Sequence, residues 1–229
     1  MMNPDYSQNR SVSSFMYKVY AWMTSGLFVT ATTAYSVYAY PPLFAAIMSS
    51  KLIIIGLFVA QILLVIALSA FINKMSFATA AITFIVYSAL LGLTLSSIFF
   101  VYQMGSIYMV FGITVGMFGT MALYGYATGA DLSSFGNIMF MGLIGLLIGS
   151  LVNIFLRSNM FGYILSFLGV AVFTGLVAYD VQRIKYMGLQ MLGQGELEKK
   201  VALLGALTLY LDFINLFLFL LQLLGKRRD

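Results

Sequence analysis

The stretch Val201–Leu224, VALLGALTLYLDFINLFLFLLQLL, is 24 residues long and carries one charge, Asp212. A membrane crossing needs about 20 apolar residues at a helical rise of about 1.5 Å each, and this stretch meets that length. A charged Asp near mid-span costs about 2.5–3.5 kcal/mol on insertion scales, so its side chain faces protein or water rather than lipid. Gly205, Thr208, Asp212, Asn215 and Gln222 recur at spacings of three, four, three and seven. They form one polar stripe on a helix otherwise made of Leu, Phe, Ile and Val. The expectation is an inner helix whose stripe turns toward a cavity.

Charges punctuate the rest of the chain and locate further spans. Tyr20 to Tyr40 reads as span one, closed by Pro41 and Pro42, and Leu52 to Ile72 as span two, between Lys51 and Lys74. No residue from Met75 through Ala130 is charged, and these 56 residues suit two spans, Phe77 to Val101 and Ile107 to Tyr126, broken near Gln103 to Ser106. Phe135 to Leu156 reads as span five and Phe161 to Asp180 as span six. A polar linker with Gly188, Gly193 and Gly195 is expected from Arg183 to Lys200, before span seven. Backbone polar groups in hydrocarbon must be satisfied within each segment, so these spans are helices, and no strand alternation suggests a barrel. The fold class is an all-α membrane protein of seven spans. Its parts are a polar N-terminal tail (1–18), a transmembrane domain (19–225) and a basic C-terminal tail (226–229). The first apolar stretch is too long for a signal-peptide core and reads as a retained span.

Composition agrees. The chain of 229 residues is 62% hydrophobic and 8% charged, against about 25% charged in soluble domains. It has no Cys and no His, which excludes disulfides, thiolate or imidazole metal sites and the usual side chain for sensing near-neutral pH. The net charge of +5 sits singly or in short clusters between apolar runs, as membrane flanks do, and does not point to nucleic acid. Small residues four apart, Gly92 with Ser96 and Gly112 with Gly116, suit close helix packing. With seven spans, the N-terminal side holds seven basic residues and the other side five, which favours a cytoplasmic N-terminus.

Of the seven acidic residues, Asp5, Asp131, Glu196, Glu198 and Asp229 fall in loops or tails and are expected to be solvated. Asp180 and Asp212 do not. Consecutive spans are antiparallel, so the two carboxyls are expected to face each other. Two like charges about 4 Å apart repel by about 4 kcal/mol at an effective dielectric near 20, so such a pair shares a proton. A divalent cation in the same place competes with that proton. Hard oxygen ligands suit calcium, and Thr208, Asn215 and backbone carbonyls would add weakly to the two carboxylates. Blander readings stand beside this one: Asp180 as the partner of Arg183 one turn on or of Lys74, and Asp212 as a hydrogen-bonded packing residue. Asn153 reads first as a helix–helix hydrogen bond and second as a ligand.

The segments Gly175-Leu-Val-Ala-Tyr-Asp180-Val-Gln-Arg-Ile184 and Ala206-Leu-Thr-Leu-Tyr-Leu-Asp212-Phe-Ile-Asn-Leu-Phe217 resemble the transmembrane Bax inhibitor motif family, in its bacterial branch. The resemblance implies a seventh helix surrounded by the other six, a cytoplasmic N-terminus in the bacterial inner membrane, and a pH-sensitive calcium leak channel. It implies a di-aspartyl sensor at Asp180 and Asp212, and a latch at Lys74, where the family's Arg is replaced by a Lys that offers no bidentate fork. It also implies no enzymatic activity and no cofactor besides a permeant calcium ion. Partners would be the lipid bilayer and, in some relatives, a membrane AAA protease. One alternative is a non-transporting interaction protein regulating a membrane protease or a stress and cell-death pathway. A remoter one is an intramembrane aspartyl protease, against which stands the absence of glycine in Leu209-Tyr210-Leu211 before Asp212.

Overall fold

The computed structural model describes the backbone of residues 4–228 and the side chains of 11–228 except Met48. The side chains of Asp5, Arg10 and Asp229, expected in the tails, lie outside the described residues. Nine α-helices are described: α1 (Pro4–Ala39), α2 (Pro41–Met48), α3 (Lys51–Phe71), α4 (Phe77–Leu95), α5 (Ile98–Val101), α6 (Met104–Ala127), α7 (Ser133–Leu156), α8 (Asn159–Met191) and α9 (Glu196–Leu224). No strand occurs among the described residues, and one isolated bridge pairs Tyr102 with Arg227. Six segments are long and apolar enough to cross a membrane: Lys51–Lys74, Phe77–Val101, Met104–Ala127, Ser133–Leu156, Asn159–Met191 and Glu196–Leu224. The expected first span lies in α1, which does not meet that measure; six Ser and Thr residues from Thr24 to Ser36 dilute its apolar character.

Three boundaries differ from the sequence reading. Residues 4–18 are the opening turns of α1 rather than a separate tail, and Val12, Phe15 and Met16 are buried. Asp180 does not close its helix: α8 runs on to Met191, because Val181 and Ile184 continue a buried face and nothing breaks the helix before Gly193 and Gly195. Those two glycines take φ of 78° and 59°, which L side chains rarely adopt. The expected linker thus shrinks to 192–195. Span three is interrupted at Ser96 and Ser97, whose hydroxyls donate to the carbonyls of Leu93 and Thr94 at 2.6 and 3.0 Å.

The chain divides into two compact units. One comprises Met1–Val101 and Met187–Tyr210. In it α1 packs on α4 through small residues: a Cβ at Gly92 would lie 2.6 Å from the Thr30 carbonyl oxygen, so only glycine lets the backbones approach. Thr30 is the hub of this contact. Its hydroxyl lies 2.6 Å from the Tyr210 hydroxyl and 2.9 Å from the Ser88 carbonyl oxygen, which it bonds. Phe84 and Tyr87 stand edge-on to the Tyr210 ring. The acids opening α9 are not simply solvated as expected. Glu198 pairs with Lys18 at 2.7 Å, and Glu196 accepts the Phe77 N–H at 2.8 Å, capping α4.

The other unit comprises Tyr102–Tyr186 and Leu211–Asp229. Its α6, α7, α8 and the second half of α9 meet at glycines: Gly125 abuts the Ala178 carbonyl, Gly136 the Tyr179 ring, and Gly169 the Phe219 ring. Gly112 and Gly116, by contrast, face open space. The apolar residues on the outside of α7, such as Phe155 and Met141, are exposed in a way only lipid accommodates.

Candidate functional site: a buried carboxyl pair

Residues flanking Asp180 fix its turn of α8 from several directions. Gln182 is buried and clamps the loop between α6 and α7: its Oε1 accepts the Leu132 N–H at 2.9 Å and its Nε2 donates to the Ala130 carbonyl at 2.8 Å. Lys185 donates to the Tyr126 carbonyl at 2.8 Å and lies 4.7 Å from the centre of that ring. With Ala178 against Gly125 and Tyr179 against Gly136, four positions around Asp180 are committed to packing. Asp212 is positioned from α9 by Phe213, whose ring stands edge-on to Phe111 and Phe118 at 5.6 and 5.5 Å.

The structure brings the two carboxyls together. The two carboxyls are close enough to interact electrostatically, and Asp212 and Asp180 are 5% and 8% exposed. Among the described residues no N–H or hydroxyl reaches Asp212 Oδ2. An ionised carboxylate only accepts hydrogen bonds, so the pair is bonded when a proton lies between the two groups and repulsive when both are charged. Arg183, exposed one turn on, attracts Asp180 through its charge without an ion pair. Lys74 is exposed and lies 5.6 Å from the centre of the Phe71 ring.

Two other members of the expected stripe bond their own helix. Thr208 donates to the Leu204 carbonyl at 3.2 Å and Asn215 Nδ2 to the Leu211 carbonyl at 2.8 Å, each on its own helix. Among the described residues Asn153 makes no helix–helix hydrogen bond; its Oδ1 accepts the Ser158 N–H at 3.2 Å beyond the end of α7. Among the described residues no three acids or other metal-binding side chains cluster.

Sequence reasoning missed Gln182. It stands on the face shared with Ala178 and Lys185, four residues before and three after, but nothing in that spacing marks the distant loop it holds. Gln182→Ala leaves a buried N–H and a carbonyl without partners, and each such loss costs about 1–3 kcal/mol. The variant is expected to melt measurably lower in detergent. Gln182→Asn is expected to melt lower as well, because it keeps the amide but loses the reach to the loop. Thermal denaturation of the three proteins checks this; equal melting of wild type and Gln182→Ala contradicts it.

Asp131 stands just before α7. The Ser133 hydroxyl and backbone N–H, the latter at 2.9 Å, hold its carboxyl below its ordinary value of 3.8. A depressed carboxyl contributes its stabilisation fully above the unfolded value and loses it as pH falls through the folded one. Amide exchange at the first turn of α7 is therefore expected to rise in Asp131→Asn, and in wild type only in acid, below the ordinary carboxyl value.

Apolar helices long enough to cross a bilayer, enclosing a paired acid, define a multi-pass α-helical membrane protein. A family model described as "Inhibitor of apoptosis-promoting Bax1" matches residues 12–229. The chain belongs to this Bax inhibitor family. It is 49% identical over 218 residues to the inner membrane protein YbhL of Escherichia coli K12, covering 95% of this chain and 93% of that one. An uncharacterized protein of Borreliella burgdorferi is 45% identical over 217 residues, covering 95% and 94%, and the protein RP147 of Rickettsia prowazekii is 42% identical over 217 residues, covering 94% and 90%. The protein is a multi-pass protein of the bacterial inner membrane.

Proposed function

We propose that this protein is a pH-sensitive leak pathway for calcium or a similar cation, with Asp180 and Asp212 as its sensor. The observation that carries the reading is the buried pair of facing carboxyls, one oxygen of which has no donor among the described residues. Protons and cations compete for that pair. When both carboxyls are protonated they no longer attract a cation; when both are charged they hold a divalent ion and draw Arg183 inward. Flux is thus expected to be greatest between these extremes.

The same proposal includes seven spans with a cytoplasmic N-terminus. Residues 19–39 of α1 are uncharged, and at about 1.5 Å per residue their length matches the hydrocarbon core of about 30 Å. The exposed hydroxyls of Ser25, Thr32 and Ser36 each donate to the carbonyl four residues back, at 2.8, 2.7 and 2.8 Å, and so present no unsatisfied group to lipid. In favour of α9 as the inner helix, 67% of its apolar window is buried, against 6–50% for the other five candidates. A non-enzymatic role fits a helix that runs unbroken through Asp212, leaving no extended backbone for a peptide substrate.

The test is calcium entry into dye-loaded liposomes carrying the purified protein, measured from acid to alkaline pH. A flux maximum between the extremes is expected. Protein-containing and empty liposomes that leak alike at every pH overturn the proposal.

A further inference from the structure

Away from the carboxyl pair, the second unit holds a polar cavity where α7 ends and α8 begins. Its volume is about 320 Å³, and Asn153, Ser158, Asn159, Gln222 and Arg227 line it, with no acidic side chain among the lining residues. Asn153 Oδ1 is occupied by the Ser158 N–H, which turns its Nδ2 to the cavity. A Cβ built on Gly162 would lie 3.1 Å from that Nδ2 and 3.6 Å from Gln222 Nε2. Two amide NH2 groups and Arg227 thus border one space, and the side chains of all three carry donors.

Arg227 is fixed there by its backbone. Gln103 donates its N–H to the Lys226 carbonyl at 2.9 Å, and Lys226 donates its own N–H to Ser106 Oγ at 2.9 Å. Tyr102 and Arg227 pair as an antiparallel bridge. The basic end of the chain is therefore docked rather than trailing. Beside the polar cavity a second one, of about 250 Å³, shares Asn153, Gly162 and Gln222 and adds the apolar Ile154, Leu165 and Phe219. Exposed Phe155 and Met160 flank the same corner.

A pocket bordered by amide donors and Arg227, adjoining a second of mixed polar and apolar lining, suits a phospholipid: phosphate in the one, the start of an acyl chain along Ile154, Leu165 and Phe219 of the other. We propose that this corner binds the phosphate of an anionic phospholipid, with Arg227, Asn153 and Gln222 as its donors. Nothing in the carboxyl-pair reading is needed for it.

Native mass spectrometry of the full-length, delipidated protein tests the proposal, with phosphatidylglycerol, phosphatidylcholine and inorganic phosphate titrated separately. Phosphatidylglycerol is expected to bind at least several-fold tighter than phosphatidylcholine. Arg227→Gln is expected to weaken it by about tenfold, the usual scale for losing one charged hydrogen bond, and Gln222→Leu by a smaller factor, while Lys51→Gln, outside the cavity, leaves it unchanged. Lipid-free melting of each variant confirms that it is folded. Equal binding of the two lipids, or wild-type binding by both cavity variants, overturns the proposal. Inorganic phosphate that displaces phosphatidylglycerol at equal concentration overturns the lipid as the source.

Discussion

Asp212→Asn is expected to remove most of the pH dependence of calcium flux and to lower the flux itself by about tenfold or more, the scale set by losing one charged ligand contact of about 1.5–3 kcal/mol. The reason is burial. Asp212 is the deeper acid, and among the described residues no donor offsets the charge on its Oδ2. Asparagine keeps the shape, cannot carry the charge, and always has a donor to offer Asp180. Asp180→Asn is expected to act in the same direction with a smaller loss, because Arg183 already offsets part of the charge at that position. Neither change is expected to lower the melting temperature, since each removes a like-charge contact from a buried site. This separates a sensor from a packing acid. An acid retained only for packing would lose stability on substitution and leave the pH profile of any flux as it was. Liposome flux and detergent melting of the two variants together decide between them.

Gly125→Ala is expected to be the most disruptive single-methyl change in the second unit. The added Cβ would collide with the carbonyl oxygen and carbon of Ala178. Backbone atoms cannot rotate aside as a side chain end can, so α6 and α8 must separate. Overpacking of this kind costs about 1–3 kcal/mol. Here it also displaces the turn that carries Asp180, so flux is expected to fall along with stability. Gly112→Ala on the same helix provides the control, because a side chain there meets nothing within 4 Å. Melting of the two variants in detergent measures the difference; equal losses contradict the close approach at Ala178.

Charge punctuation made most helices legible, since Lys51, Lys74, Asp131 and Arg157 stand at or beside helix ends. It misled at Arg183. There α8 continues with Gln182, Arg183 and Lys185 among buried Val181 and Ile184, so charge marks the edge of the apolar core and not the end of the helix. The hydroxyl-rich α1 shows the converse: its Ser and Thr side chains bond their own backbone, a local satisfaction that composition cannot register. Thr208 and Asn215 likewise each donate to a carbonyl of their own helix, a local bond that helical spacing alone does not reveal. The juxtaposition of Asp180 and Asp212 follows from antiparallel neighbours and could be read in advance. The clamp by Gln182 depends on the path of a loop fifty residues earlier in the chain and could not.

The central claim is that the two carboxyls act as one unit, and a double-mutant cycle on the pH profile of calcium flux tests it most directly. Wild type, Asp180→Asn, Asp212→Asn and the double variant are compared in the same liposomes. The expected result is strong non-additivity, with the double variant giving the profile of Asp212→Asn alone. Two independent shifts that add in the double variant, or a double variant that keeps the wild-type profile, would contradict it.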